Sequence, residues 1–157
     1  MCSRLALGVL FCASMLPAQK YDGPRPPKAD VPYLLHANEL VATEAGQAKE
    51  QNRKDEITYV IEGANSSAKT PLASPIFLLE AEQLAPDKIE LYRLEARNGQ
   101  RQVMFSRKKK DNNRPLRLSV AKVADRLYRL EVEESLENGE YSLTPSGSNQ
   151  VYCFQVY

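Results

Sequence analysis

The chain has 157 residues and carries 21 Lys and Arg against 20 Asp and Glu. A chain this close to neutral has no global field to steer it toward nucleic acid or an anionic membrane surface. The length suits one domain with its own core, and the single histidine and absent tryptophan narrow the catalytic and sugar-stacking chemistry it can hold.

Residues 1–18 open with one basic residue, Arg4, continue with an apolar run from Leu5 to Leu16, and end in Pro17-Ala18. This is the layout of a secretory signal peptide cut after Ala18, so the expected location is secreted or periplasmic. The run falls short of the roughly 20 residues that cross a bilayer, and no stable membrane span is expected after cleavage. Phe11 is bulky where a lipid-modified Cys12 would want a small neighbour. Nothing caps the run as a buried helix, and Pro17 would end one. Cleavage removes Cys2 and Cys12 and leaves Cys153 alone, so no intramolecular disulfide can form. It removes only Arg4 among the charged residues, which makes the balance even.

Residues 19–30 hold Gly23, Pro24, Pro26 and Pro27 and read as an extended, Pro-rich tether, not a packed element. A single β domain is expected over 31–157. Residues 31–37 read as a first strand, with Pro32 suiting a strand start, and 40–43 as a short second one. Residues 44–56 show mixed charge and no apolar face, so a solvated loop is expected there. Ile57-Thr-Tyr-Val-Ile-Glu62 is β-branched and aromatic, a strand. The loop 63–71 contains Asn65-Ser66-Ser67, an N-glycosylation sequon. Pro75-Ile-Phe-Leu-Leu-Glu80 is apolar on both faces, which predicts a central strand.

Three hairpins follow. In residues 89–106 the pair Asn98-Gly99 marks a two-residue type I′ turn, since both positions need positive φ. Closure there sets Ala96 against Arg101, Leu94 against Val103 and Tyr92 against Phe105, with Glu95–Gln102 and Arg93–Met104 on the other face. The basic run that begins at Arg107 reads as a solvated tip whose charges guard an edge; it lacks the interleaved aromatics of a nucleic-acid groove. In residues 116–134 a three-residue loop, Ala124-Asp125-Arg126, places Leu118 opposite Val132 and Val120 opposite Leu130, with Arg117 and Glu133 paired outside. In the closing hairpin, Leu143 aligns with Tyr152, Tyr141 with Phe154 and Gly139 with Val156. Ser142 then meets Cys153, and Glu140 meets Gln155. Cys153 is expected to be a small buried hydrophobe beneath a second layer.

About eight strands with closely spaced turns predict an all-β fold, an antiparallel two-sheet sandwich, with a jelly roll or small barrel as the alternative. Leu136-x-x-Gly139-x-Tyr141, then an alternating strand and a final Val-Tyr-x-Phe-x-Val strand, resembles the closing hairpin of immunoglobulin-like and fibronectin type III-like sandwiches. It is also similar to exported bacterial β-sandwich proteins with the same ending. The resemblance implies a chain crossing between sheets at that turn and a Tyr hydroxyl that caps a nearby backbone group. It implies no activity.

No residues are singled out as catalytic, cofactor-binding or metal-binding. His36 is the only histidine base and no Gly-x-Ser-x-Gly elbow accompanies it, so a structural role is expected. One His and one mature Cys cannot make a usual zinc site. Asp111-Asn-Asn lies beside lysines, which disfavours calcium. No Gly-rich phosphate loop is present, and no cofactor is expected. A distant glycosidase-type carboxylate pair stays open. The expectation is a noncatalytic exported interaction or structural module at the cell envelope, binding a protein or an envelope polymer. The alternative is a carbohydrate-binding domain, for which two or more coplanar Tyr on an exposed face would be the mark.

Overall fold

The computed structural model describes residues 20–108 and 113–157. The expected signal peptide, all but the last residue of 1–19, and part of the basic run, 109–112, lie outside the described residues. The strands are β1 (Tyr33–His36), β2 (Glu39–Ala42), β3 (Glu44–Gln47), β4 (Lys49–Arg53), β5 (Glu56–Glu62), β6 (Lys69–Thr70) and β7 (Ile76–Glu80), followed after a 3-10 turn at Pro86–Lys88 by β8 (Ile89–Arg97), β9 (Gln100–Ser106), β10 (Leu118–Ala124), β11 (Leu127–Val132), β12 (Gly139–Pro145) and β13 (Gln150–Val156). They form a five-stranded sheet in the order β10-β11-β7-β1-β2 and an eight-stranded sheet in the order β3-β13-β12-β8-β9-β5-β4, with β6 added to β13. The β6–β13 pair is parallel; the rest of the described pairs are antiparallel. The fold is therefore all-β with two sheets. The larger one curls into a half-barrel, because its two outer strands, β3 and β4, are consecutive segments separated by Ala48 alone.

That bent segment is where the sequence reading fails. Residues 44–53 were expected to be a loop for want of an apolar face, and every β4 side chain is indeed exposed. Their pairing is through the backbone: β3 binds β13, β4 binds β5 from Lys49↔Val60 to Arg53↔Glu56, and at the bend the Ala48 N–H donates to the Asn149 carbonyl at 2.8 Å. An edge strand with a solvated outer face has no hydrophobic period to betray it. The second difference is in the segment expected as a tether. Arg25 pairs with Glu80 at 3.0 Å, the Asp30 N–H donates to the Glu80 carbonyl, and the Asp30 carboxylate accepts the N–H groups of Glu82, Gln83 and Leu84. Proline fixes this stretch as extended, but it is extended along the protein and not away from it.

The hairpin readings fare better. β12 and β13 pair in the expected register at all five positions from Gly139↔Val156 to Leu143↔Tyr152. β10 and β11 pair as expected at Leu118↔Val132 and Val120↔Leu130, but in place of the expected three-residue loop there is a two-residue turn, Asp125-Arg126 with Arg126 at φ +54°, closed by Ala124↔Leu127, and a bulge at Val123 takes up the extra residue. β7 is central, between β11 and β1. The Asn98-Gly99 turn has both φ values positive, +53° and +75°. There, however, β8 and β9 pair only over Glu95↔Gln102, Ala96↔Arg101 and Arg97↔Gln100. Beyond that the arms separate, β8 staying with β12 and β9 with β5.

Two cores result, one on each face of β8, β12 and β13. Between the sheets lie Leu34, Phe77, Leu79 and Leu130 from one side and Leu91, Tyr141, Leu143, Tyr152 and Phe154 from the other. Phe154 meets Phe77 edge to face with centroids 5.0 Å apart and stacks on Tyr141 at 5.5 Å. Inside the curl, Ala48, Ile61, Leu94, Val103, Val151 and Cys153 make the second core. Strand alternation sorts neighbours between them, so β12 and β13 are buried on both faces.

Tyr141 is 1% exposed, and its hydroxyl donates to the Glu137 carbonyl at 2.8 Å, tying the strand to the turn that feeds it. Tyr141→Phe is expected to cost about 1 kcal/mol, the usual net value of such a bond. Thermal unfolding checks this, with an expected drop of about 4 °C; an unchanged melting temperature would remove the role assigned to the hydroxyl.

Candidate functional site

The interior of the half-barrel is layered along its axis. At one end sits a charged cluster, in the middle the second core, and at the other end an open groove.

The charged end is built on Arg101 of β9, whose side chain is 1% exposed. It fell on the apolar face of its hairpin, opposite Ala96, and a lone Arg on such a face is the signal that sequence reasoning passed over. Burying a guanidinium requires its donors to be satisfied. Here Nε donates to the Gly63 carbonyl at 2.9 Å, Nη1 to Ser66 Oγ at 2.7 Å, and Nη2 to Glu44 Oε1 at 2.6 Å and the Glu62 carbonyl at 2.7 Å. Glu140 Oε2 lies 3.9 Å from Nη1 and accepts both the N–H and the hydroxyl of Ser66. Glu44 also accepts the Ser67 N–H at 2.6 Å. Burial opposes ionisation of Glu44, but the hydrogen bonds from Arg101 and Ser67 outweigh it and hold the carboxyl below its ordinary value of 4.5. Within the sequon, Asn65 is exposed while Ser66 is buried in this cluster.

Cys153 sits above the cluster with no exposure. Burial pushes its thiol up to about 12; Arg101 pulls the other way, and Glu44 and Glu140 add to the rise. A thiol in that state is a packing group, not a nucleophile. His36 lies elsewhere, with Nε2 2.9 Å from Thr70 Oγ1, a structural contact. Of the basic run, Lys108 pairs with Asp55 at 2.9 Å at the exposed tip of the β4–β5 turn.

The opposite end opens into a groove of about 350 Å³, within the range of small-molecule sites. It exists because β8 and β9 part after Glu95, which leaves Tyr92 and Phe105 facing a space instead of a ladder partner. Tyr59 and Ile57 of β5, Glu50 of β4, Ser142 and Thr144 of β12 and the turn 147–149 complete the lining. Phe105 stands between two tyrosines, 5.9 Å from Tyr59 at an interplanar angle of 78° and 5.5 Å from Tyr92 at 89°. The Tyr92 hydroxyl donates to Glu90 Oε2 at 2.8 Å. Burial raises the Tyr59 hydroxyl, and the neighbouring Glu50 carboxylate raises it further; the same two effects, burial and then Glu90, act on Tyr92.

Sequence reasoning opposed Tyr92 to Phe105 but counted them as closed core, and it left Glu50 in a loop. Among the described residues no group of three His, Cys, Asp or Glu is placed to hold a metal ion, and no helix is long and apolar enough to cross a membrane. Compared with known proteins, the chain matches no family model, no curated protein and no solved structure.

Two outcomes follow from the charged end. Because Glu44 titrates lower folded than unfolded, the unfolded chain binds more protons in acid. Its contribution is therefore fully present above pH 4.5 and is lost as pH falls through the lower folded value. Denaturant unfolding from pH 7 to 3 is expected to show this loss, and Glu44→Gln to flatten it; an equally steep profile in the variant would contradict the assignment. Cys153 is expected to resist a thiol reagent at pH 8 until guanidinium unfolds the chain, and rapid native-state labelling would show that it is not sealed.

Proposed function

We propose that this chain is an exported, noncatalytic interaction module of the cell envelope, and that its half-barrel groove is where it holds its ligand. The observation that carries this reading is the groove itself: an aromatic-walled concavity of about 350 Å³, open at one end. Export is supported by the residue pattern of 1–18. The immunoglobulin-like reading of the closing hairpin is supported by the Tyr141 hydroxyl bond to the Glu137 carbonyl, while the half-barrel departs from a plain sandwich.

The noncatalytic part rests on chemistry. Among the described residues the one thiol, Cys153, is sealed and held far from ionisation, and the imidazole of His36 is engaged with Thr70 outside the groove. A carbohydrate-binding reading has less support, because sugar rings stack on flat aromatic platforms, whereas these rings stand at 78° and 89° to one another.

The neutral fluorophore N-phenyl-1-naphthylamine tests the groove. Enhanced emission is expected with the full chain. It is expected to fall at least tenfold in Thr144→Trp, which fills the groove, and in Ser148→Trp at its exposed mouth, where folding is not at stake. No enhancement, or enhancement that neither variant lowers, would overturn the site.

A further inference from the structure

We infer that the groove selects an organic cation with an apolar, alkylated ammonium head, of the quaternary ammonium class. The inference rests on the groove being the binding site and adds the charge and chemistry of what enters it.

Three features of the lining point the same way. Tyr59, Phe105 and Tyr92 form consecutive, nearly perpendicular walls. An aromatic face carries the negative lobe of the ring quadrupole, so walls set at right angles surround a guest with negative potential from more than one side. Two carboxylates, Glu50 and Glu90, share the lining, and no Lys, Arg or His lines the groove among the described residues. An anionic ligand would meet only like charge there, with reduced screening in a partly enclosed space. A neutral ligand would use the apolar walls and leave the negative charge of the two carboxylates uncountered in the groove.

The hydrogen-bonding pattern then chooses among cations. A primary ammonium is a compact, strongly hydrated charge that needs an acceptor for each of its three donors. Glu90 already takes the Tyr92 hydroxyl and Glu50 takes the Asn52 amide at 2.5 Å, and most of the remaining surface is ring and aliphatic carbon. An ammonium carrying methyl groups has no donors to satisfy and sheds its water at less cost. Its methyls pack on the ring faces while its charge is balanced through space by the two carboxylates. Donation by the Tyr92 hydroxyl to a carboxylate also leaves that ring richer in electrons, which strengthens the same contact.

Choline and its uncharged carbon isostere, 3,3-dimethylbutan-1-ol, differ in the charge of the head and little in its shape. Titration calorimetry of the full chain with each is expected to show choline binding at least tenfold tighter. Glu50→Gln combined with Glu90→Gln is expected to bring choline to parity with the isostere and leave the isostere unchanged, and Phe105→Leu to weaken choline more than the isostere. Ammonium ion as a competitor is expected to displace choline poorly. Equal binding of the two ligands, or a preference that survives removal of both carboxylates, would overturn the cation inference while leaving the groove as a site. Binding of the naphthylamine probe with no binding of choline would also overturn it. Failure of all three ligands would sink both the inference and the site on which it rests.

Discussion

Burial of the Arg101 guanidinium is the constraint around which the larger sheet is arranged. A charge taken out of water at 1% exposure is tolerable only when its donors are met and its charge is countered. The partners come from the end of β5, from β3, from the loop after Gly63 and, through Ser66, from β12. Glu44, the 62–66 stretch, Arg101 and Glu140 are far apart in sequence, and the cluster brings them together. Geometry, more than net energy, is what such a cluster supplies. Hydrophobic contacts would let β3 slide along β13, whereas four directed donors do not. Glu140 Oε1, buried without a partner, marks the cost of the arrangement. Removing Arg101 would leave Glu44 and Glu140 uncompensated in a low-dielectric pocket.

The same cluster explains why the sheet curls. β3 is held to β13 at Glu44↔Cys153, and the Glu44 carboxylate is simultaneously drawn to β9 by Arg101. The continuing chain, β4, must then cross to β5. Ala48 at the bend is small and buried, and packs with Ile61, Val103 and Val151. Curling buries the second face of β12 and β13, and it makes a sealed interior position of Cys153, which a flat sheet would have exposed. The closing hairpin therefore belongs to two cores at once. Tyr141, Leu143, Tyr152 and Phe154 join Phe77 and Leu79 between the sheets, while Glu140 and Cys153 point into the curl.

Legibility in the sequence followed the physics of each element. Hairpins with apolar alternation and turn residues could be read to the register, as at Tyr141↔Phe154 and Leu118↔Val132. So could the central position of β7, apolar on both faces. Residues 44–53 could not be read, because β3 takes its strand state from β13, remote in sequence, and β4, though hairpinned to β5, has every side chain exposed and so no apolar period. The separation of β8 from β9 could not be read either. Local turn chemistry favours a full ladder from Asn98-Gly99, and only the competing claims of β12 and β5 pull the arms apart. Arg101 stood in view as a cation on an apolar face, yet its meaning depended on Glu44 and Glu140, which no spacing rule links to it.

The groove is a consequence of that same separation, and this bears on what kind of site it is. Had the β8–β9 ladder run its full length, Tyr92 and Phe105 would be a cross-strand pair closing the interior. Instead they meet edge to face across an opening, with Tyr59 beyond. Such rings are fixed by the strands that carry them and need no rearrangement to receive a guest. The cluster at the far end ties β9, β3 and β12 together, and these strands carry or adjoin the walls of the opening. A rigid floor and a preformed aromatic wall together favour selection by shape and charge over adaptive closure. The shape of the groove thus depends on Arg101, though the guanidinium lies at the opposite end of the half-barrel.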